Sequence, residues 1–168
     1  MARFRQHFIV SAPLRDVWRF HDDPIALKDL TPPPLRVKML AKDEPLQAGG
    51  TLKFRLALFG IQPLGVTWHA IYDEFNAYHD GATRVGFVDR SLSSPFHFWV
   101  HRHVFEALPD GRTACTDDVT FHLTPLRGIL GNLIDALVYP SVVFLFLYRQ
   151  FQTRRLLAKR VAQTVTTL

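Results

Sequence analysis

Residues 94–108, SPFHFWVHRHVFEAL, concentrate side chains able to move protons, bind metals or grip a ligand: His97, His101 and His103, with Trp99 among them. Read with the two-residue period of a strand, His97, Trp99, His101, His103 and Phe105 share one face. Phe96, Phe98, Val100, Arg102 and Val104 share the other. The first set is bulkier and more aromatic, so it is assigned to the interior. Four chemistries are open to it: a metal centre, an acid/base pair, the polar end of a binding cavity, or polar groups that only satisfy one another.

Distance trims the metal option. His97 and His103 lie about 20 Å apart along a strand, too far to share an ion, whereas His101 and His103 are separated by about 6.6 Å. No HExxH, paired cysteines or two-histidine, one-carboxylate spacing accompanies them, and the expectation is no metal and no cofactor. The Asp110-Gly111 pair reads as a two-residue hairpin loop. That register sets His103 opposite Asp118, His101 opposite Thr120, Trp99 opposite His122 and Phe105 opposite Thr116. His103 and Asp118, with His101 beside them, would then form an acid/base pair if the protein is an enzyme. Without catalysis, the same groups anchor one end of a ligand.

These residues need a sheet to hold them. RFRQHFIVS alternates as a half-buried strand, and Ser11 can cap a helix from Pro13 that carries Leu14, Val17, Trp18 and His21. Pro24 opens a second short helix, PIALKDL, which TPPP stops. Strands follow at LRVKMLA, TLKFRLALF, GVTWHAIYDEFNAY, ATRVGFVDR, the histidine run and RTACTDDVTFHL, with a turn around Pro45–Gly50 and Asp-Gly pairs at 80–81 and 110–111. The last segment, residues 129–163, reads as one long helix with Leu133, Leu137, Val143, Leu147 and Phe151 at helical spacing and Pro140 as a kink site. Its apolar stretch, residues 133–148, is shorter than a span of about 20 residues and contains Asp135, so a buried core helix is expected. Arg149 is expected to face solvent or cap a carbonyl.

The order is strand, two short helices, a meander and a long helix, an α+β arrangement in a single domain, 1–168. Composition agrees: 48% hydrophobic, 21% charged and a single cysteine fit a globular domain and exclude an intrachain disulfide framework. The N-terminal run lacks a signal peptide's apolar core, which gives the expectation of a cytoplasmic protein. The net charge of +5 resides in Arg149, Arg154, Arg155, Lys159 and Arg160; the 15 remaining basic and 15 acidic residues cancel. No nucleic-acid partner is expected. Arg154, Arg155, Lys159 and Arg160 could touch an anionic membrane surface, or be the solvated end of a helix.

The segments SAPLRDVWRFHDDP, LTPP, GFVDRSLSSPFHFWVHRHVFE, TDDVTFHLTPLRGILG and FLYR together resemble the START-like superfamily, also labelled SRPBCC, and more narrowly a bacterial subgroup of it. The middle segment of that subgroup runs aspartate, Gly-Pro-Phe, then Trp-x-His-x-His-x-Phe. Asp89, Pro95, Phe96, Trp99, His101, His103 and Phe105 match; Ser94 replaces the glycine and His97 lies outside the pattern. The resemblance covers essentially the whole chain. It implies a helix-grip fold, a curved antiparallel sheet of about seven strands around a C-terminal helix, with a cavity for a hydrophobic ligand between them. The expected lining is Trp68, Phe87, Asp89, Trp99, His101, His103, Phe105, Asp118 and Thr120, and a non-catalytic ligand-binding role leads. A cyclase, dehydratase or hydrolase using His103 and Asp118 is the rival. A membrane-surface lipid or quinone carrier is third.

Overall fold

The structure, a computed structural model, describes residues 1–43 and 46–166, with side chains to residue 163. Pro45, at the start of the expected 45–50 turn, lies outside the described residues. The elements are β1 (Ala2–Val10), α1 (Leu14–His21), α2 (Ala26–Asp29), β2 (Leu35–Lys42), β3 (Thr51–Leu58), a 3-10 turn (Gln62–Leu64), β4 (Val66–Asn76), β5 (Arg84–Ser93), β6 (Phe98–Ala107), β7 (Thr113–His122) and α3 (Gly128–Thr166). Seven antiparallel strands form one sheet in the order β1-β7-β6-β5-β4-β3-β2. Only β1 departs from the meander, by pairing with β7, and α3 packs chiefly along β1. This is the α+β helix-grip arrangement.

Strands β1 and β4 alternate as their sequences dictate, whereas β7 is buried on both faces from Thr113 to Asp117. Phe4, Phe8 and Val10 of β1 point inward, as do Trp68, Ala70 and Tyr72 of β4, and Val85 and Phe87 of β5. The rings mesh edge to face, with Trp68 against Trp99 at 5.1 Å and Trp18 against Phe75 at 5.3 Å. Such pairs add about 1 kcal/mol each beyond simple burial. Ser11 makes no cap: the residue before the first turn of α1 is Pro13, and no side chain caps the helix.

The β6–β7 hairpin closes differently from expectation. Its loop holds three residues, not two: the Leu108 amide donates to the Arg112 carbonyl at 2.8 Å, and the Gly111 amide to the Leu108 carbonyl at 3.0 Å. Asp110 keeps a negative φ while Gly111 sits at φ +80°, as in a type I turn that ends on a left-handed glycine. The register therefore slips by one. His103 faces Asp117, His101 faces Val119, Trp99 faces Phe121 and Phe105 faces Cys115. Because strand side chains alternate, this slip moves Asp118 and Thr120 to the outer face.

The α3 helix continues unbroken through Pro140. The stripe expected to meet the core is the one that faces away from it: Leu133, Leu137, Leu147 and Phe151 are all more than half exposed. Among the described residues, Val142, Phe146 and Leu157 are the buried apolar side chains of the helix. Apolar residues surround the helix on all sides, so hydrophobicity does not reveal which face is inward. Its lower end is fixed by Asp135, 2% exposed, which accepts from the Leu123 amide at 2.9 Å and contacts His122 Nδ1 at 2.6 Å.

Candidate functional site

Between sheet and helix lies a cavity of about 460 Å³, walled largely by apolar groups such as Leu30, Phe54, Trp68, Trp99, Val142 and Leu145. Its mouth is marked by lining residues that also reach solvent: Asp23, Pro33, Pro34, Pro95, Ser141 and Phe144. Volume and lining are those of a small-molecule site. Asp89, His101, His103 and Asp117 line it from β5–β7, with His21 of α1 and Arg149 of α3 completing the cluster.

The strand register builds that polar wall. His101 and His103 project from one face of β6, while Asp89 on β5 pairs with His101 and Asp117 on β7 pairs with His103. The two imidazoles thus sit side by side, ring centroids 3.7 Å apart, between two carboxylates. His101 donates from Nε2 to Asp117 Oδ1 at 3.2 Å, and its Nδ1 lies 3.4 Å from Asp89 Oδ2. His103 has Nδ1 3.0 Å from Asp117 Oδ1, out of line for a hydrogen bond, and Nε2 3.7 Å from Asp89 Oδ2. Gln6 Nε2 donates to the second oxygen of Asp117 at 2.8 Å. Phe87 packs against His103 at 4.4 Å with the rings tilted by 38°, and Phe146 meets His101 edge to face at 4.9 Å.

Electrostatics separate the two histidines. Burial alone would push His101 toward neutrality, but its contacts with Asp117 and Asp89 outweigh this and raise its pKa above 6.5. Burial, reinforced by the neighbouring His101, lowers that of His103. Asp117 is held well below the usual carboxylate range: both histidines overcome the burial that opposes its ionisation. Asp89 is also lowered, because His101, His103 and Arg149 outweigh its burial. Arg149 lines the cavity instead of facing solvent, with its guanidinium 5.1 Å from the Phe146 ring centre and its Nε without a partner. With His101 protonated and His103 neutral, the states their opposite shifts favour, two carboxylates, one imidazolium and one guanidinium balance in formal charge.

His21 on α1 closes the wall from above. Its Nδ1 bonds the Val17 carbonyl at 2.8 Å, and its ring lies 4.5 Å from Phe105 and 6.0 Å from His103. Burial first, then His103, lowers its pKa to about 4.

Of the residues expected at the site, Trp68, Phe87, Asp89, Trp99, His101 and His103 line the cavity. Phe105 does not; it packs behind His21 and is 1% exposed. Asp118 faces outward in a salt bridge with Arg3, and Thr120 shares that outer face. His97 is exposed and apart from the cluster. Asp117 and Arg149 were missed. The Pro109-Asp110-Gly111 loop contains the clue to Asp117, since proline suits the first corner of a type I turn. No sequence signal singles out Arg149.

Asp89, His101 and His103 each offer a ligand atom, all within 4.8 Å of one another, so these residue types could hold a divalent cation. A metal there would have to displace the proton that His101 places between the two carboxylates.

The curved seven-stranded sheet and the long C-terminal helix, with the cavity between them, define a helix-grip fold. Solved structures agree: a Chromobacterium violaceum protein matches with TM-score 0.66 and 22% identity over 93% of this chain and 97% of its own. An Arthrobacter aurescens protein matches with TM-score 0.64 and 14% identity over 94% and 86%. An aromatase/cyclase from a Streptomyces species matches with TM-score 0.55 and 21% identity over 92% and 95%. No protein-family profile and no curated sequence matches the chain.

Proposed function

We propose that the protein binds a small apolar or amphipathic molecule in the cavity, with the molecule's polar end against His103, Asp117 and Arg149. The observation that carries this is a largely apolar chamber in which Asp89, His101, His103 and Asp117 of β5–β7 and Arg149 of α3 form one charged cluster. Apolar walls supply transfer free energy of about 25 cal/mol per Å² removed from water. The neutral wall suits a hydroxyl or carbonyl oxygen better than a carboxylate, which would add an uncompensated buried charge. Native mass spectrometry of the purified protein tests the proposal: a mass increment removed by denaturation supports it. Failure of every apolar alcohol, phenol and ketone in a broad panel to raise the melting temperature counts against it.

Acid/base catalysis is a second reading, favoured by one feature. His103 is a neutral imidazole beside Asp117 with its ring on the cavity, while the cationic His101 next to it could donate a proton. The structural match to the Streptomyces aromatase/cyclase supports this second reading. Turnover of a cyclisable or dehydratable ketone that disappears in His103→Gln, with binding retained, would establish it. Turnover that survives the substitution would exclude His103 as the base.

A further inference from the structure

We infer that the outer face of α3 is a dimer interface for a second copy of this chain, the two helices running antiparallel. Leu130, Leu133, Leu137, Phe144, Leu147 and Phe151 are between 53% and 79% exposed. With Pro140 they recur at steps of three and four residues through three heptads, the 3.5-residue period of a helix-to-helix seam. From their exposures these six side chains present roughly 700 Å² of surface, above the ~300–600 Å² patch typical of a monomer and near the ~800 Å² that each partner of a standard interface contributes.

Charge chooses the occupant and its direction. Between residues 128 and 148 the only ionisable side chain other than tyrosine is Asp135, which is buried, so no charge interrupts the seam from Leu130 to Leu147; Arg149 lines the cavity, and Arg154 and Arg155 follow the far end of the seam. A helix lying in a membrane surface carries cations along its polar flank. Here Arg154 bonds the Ile9 carbonyl at 3.1 Å and lies over Phe8, and Arg160 lies over Phe20, so both lean back onto the protein. A parallel pair would bring Arg154, Arg155, Lys159 and Arg160 of both copies together. An antiparallel pair crossing near Pro140 keeps the two Arg155 side chains about 45 Å apart, at 1.5 Å per residue, and sets Leu137 of each copy near Phe144 of the other. Such an isologous contact closes on itself.

Sedimentation velocity of the full chain at micromolar concentration is expected to show twice the chain mass. Leu137→Glu is expected to return it to the chain mass with an unchanged far-ultraviolet dichroism spectrum. Should that variant not fold, oxidative cross-linking decides: Leu137→Cys combined with Phe144→Cys is expected to form an interchain disulfide, and Arg155→Cys none. A wild-type monomer across that range overturns the inference. So does a monomer that sediments with phosphatidylglycerol vesicles, which would assign the face to a membrane, or efficient Arg155→Cys cross-linking, which would mean a parallel pair.

Discussion

His103 stands directly across the β6–β7 ladder from Asp117, Nδ1 3.0 Å from Oδ1, while the neighbouring Asp118 points out of the sheet to Arg3. Two adjacent aspartates thus have opposite environments, and substitution should tell them apart. Asp117→Asn removes the counter-charge of a buried imidazolium and should cost about 3 kcal/mol in urea denaturation. Asp118→Asn loosens a surface pair and should cost less than ~1 kcal/mol. Equal losses would contradict the register.

Stability should peak near pH 6.5. His21, with its pKa lowered to about 4, binds more protons unfolded than folded between those values, so acidification from pH 6.5 to 4 should remove up to about 3 kcal/mol. His101 has the opposite sign: its raised pKa gives stability that is complete below pH 6.5 and is lost as pH rises through the folded value. The lowered carboxyls of Asp89 and Asp117 stabilise above pH ~3.9 and lose that contribution as pH falls through their folded values. Thermal denaturation across pH checks this, and His21→Gln should flatten the limb between pH 6.5 and 4.

Gly86 permits the close approach of β5 to β6 beneath the polar wall. A Cβ there would lie 2.2 Å from the His103 carbonyl oxygen and 3.2 Å from the Val104 Cα, and neither backbone atom can yield cheaply. Gly86→Ala should therefore destabilise by roughly 2 kcal/mol or more and broaden the His101 and His103 imidazole resonances. A neutral outcome in chemical denaturation would mean that the two strands are farther apart.

Ala70 lies on the cavity wall and is 3% exposed. Ala70→Phe should occupy the chamber, leave the fold intact and reduce the affinity for an apolar ligand at least tenfold in fluorescence titration. Unchanged affinity would place the ligand elsewhere.

The sequence reveals the fold more readily than the site. Seven alternating strands, two short helices and a terminal helix follow from the two-residue and 3.6-residue periods, and Trp68, Phe87, Asp89, Trp99, His101 and His103 follow with them. Asp118 and Thr120 were misplaced because one extra loop residue inverts a whole strand, and Pro109 is the only mark of it. The inward face of α3, and Arg149 with it, stayed hidden because that helix is apolar all round and only packing against β1 chooses a side.

Nitrogen-15 NMR of the histidine side chains during titration with 2-naphthol, a flat apolar molecule with one hydroxyl, reads whether a ligand seats against the polar wall. Saturable shifts are expected at His101 and His103, with little change at the exposed His97, together with a melting temperature raised by several degrees; the shifts and the stabilisation should both be lost in Ala70→Phe. Saturable binding that leaves both cavity histidines unmoved would contradict the assignment of the polar wall.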